Sequence, residues 1–388
     1  MSSVLAPVSG PPRQPDGRRP PVAERSDAFI LAATAEIAAG PLKKAATAID
    51  GGEYPVDIMR ALGGAGALGA HLDRDGRRFG LAIEAMAEAS RFCGATGFLM
   101  WCHDVCGLYL EQSGNPALAG AVLEEHASAH TFGGTALSNP MKTFAGIEKM
   151  LLHARRVPGG YSVSGSLPWV SHIREGQYCG AIAAVEDDGG TVAQEIMFLL
   201  RFDGRAELRP CPHFSGMEGT STWGIRLRDF HVGPEDLIAD PARPFIGRIR
   251  AAFVLLQCGM GLGVAQGSVD SMQAVEDALG HVNRFLRDRP DDVQSEVDEL
   301  RSRVRRLAAT PFADAPEFLI EVLDTRAAIA ELALRASQSA LLHQGARGYA
   351  MTSAVQRRVR EAHFVAIVTP AIKHLRSEVS RLTSVLQN

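Results

Sequence analysis

The sequence predicts a multidomain α+β chain: an N-terminal α-helical domain, a middle antiparallel β-domain and a C-terminal four-helix bundle. Two observations carry this prediction. The spacing of the apolar residues changes from helical to alternating and back again, and the last third of the chain holds two long apolar seams. From Asp27 to about His130 apolar residues recur every three or four positions, with breaks at Gly40-Pro41, Gly51-Gly52 and Gly63 to Gly66. That pattern describes a run of helices. From about Thr131 to Pro234 the alternating stretches Tyr161 to Gly165, Tyr178 to Val185, Glu195 to Phe202 and Gly224 to Val232 read as strands separated by turn residues. From Phe245 onward helices return. Val293, Val297, Leu300, Val304 and Leu307 form one seam, and Phe318, Val322, Ile329, Leu332 and Ala336 a second. The expected boundaries are a disordered tail over 1–25, a helical domain over 26–130, a β-domain over 131–240 and a bundle over 241–388.

Composition narrows the function classes. The 388 residues are 46% hydrophobic, enough to build sizeable cores, and the net charge of -4 offers no general attraction to nucleic acid. No unbroken run of about 18 apolar residues appears, so no membrane span is expected. Six prolines before residue 25 exclude an apolar signal core there, and the protein is expected in the cytoplasm. Cys93, Cys102, Cys106, Cys179, Cys211 and Cys258 contain no CxxC pair, so they read as reduced thiols and no metal is expected.

Several local stretches resemble the acyl-CoA dehydrogenase superfamily, over about residues 27 to 385. They are Ile49-Asp50 with Tyr54-Pro55 and Leu62 to Gly66; Ala136 to Pro140; Pro168 to Ser171; Gly216 to Ser221 leading to Val232 to Leu237; and Gln344 to Tyr349 followed by Val355 to Arg357 and Arg360 to Ala362. The last is the strongest match. The resemblance implies a flavoprotein that holds FAD, or alternatively FMN. Trp169, Val170 and Ser171 would then lie along the flavin ring, and Leu137 with Ser138 on its pyrimidine side. The loop carrying Gly345, Arg347 and Gly348, together with Arg284 and Phe285, would serve the cofactor's phosphate half across a subunit interface, which implies a homo-oligomer, dimer or tetramer. An indole and a hydroxyl suit that ring contact on chemical grounds. The same residues also describe a tryptophan anchoring a hairpin, and the glycine loop also describes a helix end.

The chain departs from the family pattern at three places. The Arg-x-x-Phe-Gly segment falls at Leu279 to Leu286, with altered spacing and no glycine; the glycine loop carries Ala346 and Arg347. Most important, Thr369 and Pro370 stand where the family has its catalytic glutamate and the glycine after it. Removing a proton next to a thioester carbonyl needs a base, and a threonine hydroxyl is not one. The helix after the β-domain offers no carboxylate at Gly247 to Arg250 or Phe253. A monooxygenase branch of the fold, which includes dibenzothiophene monooxygenase, works without that glutamate and uses a histidine. Its histidine position in the C-terminal segment falls on Val365 or Val368, which leaves His103 and His363 as candidates beside Thr369. Either histidine also reads as structural. Three functions are therefore expected: an oxidoreductase of acyl thioesters with an electron-transfer flavoprotein as partner, a monooxygenase fed by a flavin reductase, or a catalytically silent flavin binder.

Overall fold

The computed structural model describes residues 25–73, 75–187 and 190–387, so most of the expected 1–25 tail lies outside the described residues. The N-terminal part contains α1 (Asp27–Ile37), α2 (Lys43–Asp50), α3 (Val56–Ala65), α4 (Phe79–Phe92), α5 (Gly94–Gln112), α6 (Pro116–Ala119) and α7 (Ala121–Ala127). Helix α5 is buried on every side from Gly94 to Glu111. It therefore sits at the centre of the molecule rather than on a surface.

The β-domain runs through β1 (Gly133–Thr135), α8 (Ser138–Phe144), β2 (Leu152–Val157), β3 (Gly160–Val170), β4 (Tyr178–Glu186), β5 (Val192–Arg201), β6 (Glu207–Pro210), β7 (Trp223–Val232) and β8 (Leu237–Ala239). The sheet order is β6-β7-β3-β2-β4-β5-β8, with β1 joined to β4. All neighbours are antiparallel except β1 and β2, which meet β4 in parallel. Helix α8 follows β1 directly and is the piece of this domain that borders the site.

The C-terminal part holds α9 (Ala242–Leu256), α10 (Cys258–Gln273), α11 (Glu276–Asn283), α12 (Pro290–Leu307), α13 (Pro316–Gln344), α14 (Ala354–Ile367) and α15 (Ile372–Gln387). Both expected seams face inward: Val293, Val297, Val304 and Leu307 of α12, and Val322, Ile329, Leu332 and Ala336 of α13, are all buried. The stretch Ala242–Gln273 is long and apolar enough by composition to cross a membrane. Its most apolar window is 94% buried within the chain, as befits a core helix. Helices α4 and α10 touch backbone to backbone. Gly259, Gly263 and Gly267 lie at four-residue spacing, and a Cβ on them would meet the carbonyl oxygens of Ile83, Ala87 and Arg91.

The strongest sequence match proves to be a brace between domains. Arg360 forms a two-pronged ion pair with Asp50 of α2, with Nη1–Oδ1 at 2.9 Å and Nη2–Oδ2 at 2.5 Å. Arg357 donates to the Phe92 carbonyl at 2.8 Å, and Arg358 donates to Ser271 Oγ at 2.7 Å and to the Arg91 carbonyl at 3.1 Å. Glu361 is fully buried beside them, 3.3 Å from Arg357. Burial raises its pKa against the pull of both arginines. All six cysteines are free thiols, five of them buried.

Candidate functional site

Two cavities flank α8. One, of about 470 Å³, lies between α8 and the end of β3 and is lined by Ser138, Asn139, Leu151, Leu167, Trp169 and Val170, among others. The other, of about 420 Å³, lies between α8, α9 and α15 and is lined by Phe144, Arg243, Arg250, His374, Glu378 and Arg381, among others.

The first cavity has an apolar floor and a polar rim. Val170 and Leu167 are buried, whereas Trp169 is 59% exposed and meets Phe214 edge-on at 6.2 Å. A strand residue this open in a cleft offers a face for stacking. Asn139 is buried and organises the opposite rim: its amide donates to the Lys149 carbonyl at 2.9 Å and accepts from Leu151 N at 3.0 Å. Lys142 and Glu148 neutralise each other at 2.9 Å, and that bond holds the Glu148 carboxyl below its usual pKa. The rim therefore offers no spare base.

Thr369 reaches this rim from the far end of the chain. Its Oγ1 is 2.9 Å from Ser138 Oγ, and its carbonyl accepts from Gln257 Nε2 at 2.8 Å. The Thr369–Pro370 bond is cis. Sequence reasoning placed Ser138, Trp169, Val170 and Thr369 at one site, and the structure brings these four together. Leu137, at the N-terminal cap of α8, is buried. Ser171 lies one residue past β3, where its hydroxyl is 2.7 Å from that of Thr222.

The two histidines lie elsewhere. His103 is fully buried on α5, its Nε2 3.0 Å from the His126 carbonyl and its Nδ1 accepting from Gly133 N at 3.3 Å. It stacks on His126 at 3.7 Å, and burial pushes its pKa well below the ordinary histidine range. His103 thus lines neither cavity, because α5 is wrapped on all sides. His363 lies on the exposed side of α14 and lines neither cavity.

Around His103 lies a cluster that sequence reading missed. It contains His71, His126, His172, Tyr54 and Tyr178; His126 Nδ1 is 3.0 Å from Tyr178 OH, and His172 Nδ1 is 3.1 Å from Tyr54 OH. His172 has a φ of 64° immediately after Ser171, so its backbone is held in the left-handed region.

Beside Arg284 and Phe285 in sequence, Asn283 Nδ2 donates to the His343 carbonyl at 3.2 Å, two residues before Gly345. Phe285 (79%) and Tyr349 (76%) are strongly exposed, and Arg347 is exposed beside them. Gly345 has a φ of 59° with open space where a side chain would stand. None of these residues lines either of the two cavities.

The second cavity carries excess positive charge. Glu378 pairs with Arg250 at 3.0 Å and Arg381 at 2.6 Å, which hold its pKa at about 2, chiefly through Arg381. Arg243 stands nearby, paired with Glu195. His374 is lowered by burial and by Arg250.

The chain matches no protein-family model. It is 23% identical over 342 residues to the Bacillus subtilis protein named "Probable acyl-CoA dehydrogenase YngJ", covering 81% of this chain and 86% of that protein. Butyryl-CoA dehydrogenase from Megasphaera elsdenii superposes with a TM-score of 0.78 at 17% identity, over 93% of this chain and 98% of that one. The chain has the acyl-CoA dehydrogenase fold. The resemblance read from its motifs stands, and the same fold is worn by dibenzothiophene monooxygenase from Paenibacillus sp. A11-2 (TM-score 0.75, 15% identity, 90% and 96% covered). The Paenibacillus enzyme has also been solved with FMN bound, at a TM-score of 0.76 and 14% identity, with 90% of this chain and 96% of that one covered. The acyl-CoA dehydrogenase fold thus hosts both of the enzyme classes between which the sequence motifs divide.

Proposed function

We propose that this protein is a flavin-dependent oxidoreductase of the acyl-CoA dehydrogenase superfamily. FAD, or in its place FMN, would lie with its ring in the cleft of Ser138, Trp169 and Val170. The residues fit such a ring: an open indole for one face, an apolar floor, and a hydroxyl at the rim. When bound, flavin supplies hydride or oxygen chemistry that no side chain in this chain supplies. Ser138, backed by Thr369, would hold the ring's edge, and Trp169 would cover its face.

One observation carries the choice of substrate class. Helix α8 is the common wall of the flavin cleft and of a cavity rich in arginine, so a substrate with an anionic handle in the second would present its other end to the first. Acyl thioesters of coenzyme A have that form, and an electron-transfer flavoprotein would then accept the electrons. The test is an anaerobic visible spectrum of the purified protein during addition of acyl-CoAs of graded length. Bleaching of the flavin bands is the expected result, and no response to any of them overturns the substrate assignment.

A second reading, a monooxygenase supplied with reduced flavin by a reductase, is favoured by one observation. Among the described residues the flavin cleft carries no carboxylate other than the paired Glu148, so a strong base for proton removal is missing beside Thr369. Oxygen-dependent turnover with a flavin reductase, without any response to acyl-CoA, selects this reading; flavin uptake with neither activity selects the silent flavin binder. The exposed face of Arg284, Phe285, Arg347 and Tyr349 is proposed to meet another copy in a homo-oligomer, and a monomer in sedimentation at micromolar concentration overturns that. Six free thiols accord with a cytoplasmic location.

A further inference from the structure

Arg326, at the middle of α13, is among the largest side chains with no exposure at all. Its Nη2 donates to the Val365 carbonyl at 2.6 Å, and its Nε donates to Gln257 Oε1 at 3.1 Å. Its Nη1 has no partner, and no carboxylate pairs with it among the described residues. Burial lowers its pKa to about 10, so the group remains a cation at neutral pH. Burying an unpaired cation is strongly unfavourable, and an apolar side chain of similar volume would fill the space without that penalty. Packing alone therefore does not account for an arginine here.

What the guanidinium holds does account for it. Gln257 sits at the joint between α9 and α10 and spends both ends of its amide: Oε1 accepts from Arg326, and Nε2 donates to the Thr369 carbonyl at 2.8 Å. Because a guanidinium can only donate, it fixes which way that amide faces. The other arm grips Val365, so the two anchors bracket the turn that ends at Thr369. Thr369 Oγ1 in turn stands 2.9 Å from Ser138 Oγ at the cleft rim. A chain of hydrogen bonds thus runs from the centre of the bundle to the site.

We propose that Arg326 is a positioning residue for the cleft, acting through Gln257 to hold Thr369 against Ser138. The assignment rests on the flavin reading for its ligand readout only. Three variants of the full chain test it: Gln257→Met, which keeps the volume and cuts the link, Arg326→Met, and Arg326→Lys, which retains a donor cation. Two quantities are measured: amide hydrogen exchange over 365–369 in the flavin-free protein, and the FAD and FMN dissociation constants with the spectrum of the bound flavin.

For Gln257→Met the expected result is about tenfold faster exchange over 365–369, unchanged exchange in α12, about tenfold weaker flavin binding and a shifted visible band. Such a change is the size of one lost hydrogen bond, here the one to the Thr369 carbonyl. Arg326→Lys is expected to recover part of what Arg326→Met loses. A folded Gln257→Met with wild-type exchange and an unshifted flavin band refutes the proposal, and so does an Arg326→Lys no better than Arg326→Met. If Arg326→Met does not fold, Gln257→Met decides alone. A wild-type protein that takes up neither flavin defeats the proposed function, while the exchange data still judge the relay.

Discussion

Lowering the pH from 7 to 5 should destabilise this protein through its buried histidines. Burial holds His71 at about 4 and His126 and His172 at about 3, against an ordinary value of 6.5. The sign follows from proton counting: between pH 6.5 and about 4 the unfolded chain takes up protons at these rings and the folded chain does not, so stability falls as the pH falls. Each of these three then contributes a loss of about 2 kcal/mol between pH 7 and 5, about 6 kcal/mol together, and His103, held well below 6.5 by burial, adds to the loss.

Two buried acids oppose this. Asp104 lies beside His71, with its Oδ1 4.0 Å from Nδ1, and burial raises its pKa well above 3.8, so the folded state keeps a proton that the unfolded state has lost. Asp104 therefore returns part of the loss, and Glu361, also raised by burial, adds to the offset. With four depressed histidines against two raised acids, the net change is a loss on the order of a few kcal/mol, a large share of the ~5–15 kcal/mol typical of folded domains. Urea unfolding at pH 7 and 5 measures it, with Asp104→Asn as the companion variant. That change removes the larger offset, so its acid loss should be steeper than the wild type's by up to about 1.4 kcal/mol per pH unit. Equal wild-type stability at the two pH values, or a shallower loss in Asp104→Asn, would refute the reasoning.

Three further outcomes are expected. Trp169→Ala should weaken flavin binding about tenfold while shifting the flavin-free thermal midpoint little, since the indole is mostly exposed; retention of wild-type flavin affinity would contradict the stacking role. Thr369→Glu should give less than a hundredfold gain in acyl-CoA-dependent flavin reduction, although a well-aimed base is worth about 10² to 10⁴ in rate. A larger gain in stopped-flow reduction would return the protein to ordinary dehydrogenation. Arg360→Ala should lower stability by about 3–5 kcal/mol, because it leaves the half-buried Asp50 without its partner. A change below 1 kcal/mol in denaturant titration would show that the brace is dispensable.

The order of domains was legible because apolar period reports burial directly, and α12 and α13 show how faithfully. The cleft was legible where its chemistry is local: Trp169 and Val170 are adjacent on β3, and Ser138 opens α8. What escaped was chemistry assembled at long range. Gln257, Arg326 and Thr369 belong to three separate helices and loops, and nothing near any one of them in sequence announces the others. Asn139 escaped for a related reason, since its rim-building partners lie ten and twelve residues further on, across a turn. His103 invited a cavity reading because its helix is rich in aromatics; the same richness comes from α5 being enclosed on every side, and periodicity cannot separate the two cases.

The glycine ridge of α10 bears on how this protein can be re-engineered. A chimera that grafts the first hundred or so residues of a relative onto this chain would treat the helical domain as a module. It is not one at this seam. Whatever α4 the donor brings must fit against Gly259, Gly263 and Gly267 with no side-chain layer to absorb a mismatch, and a donor helix shifted by one residue would set Cβ atoms where carbonyl oxygens now lie. The unit that can be exchanged is therefore the pair α4 with α10, although some 170 residues separate them in the chain.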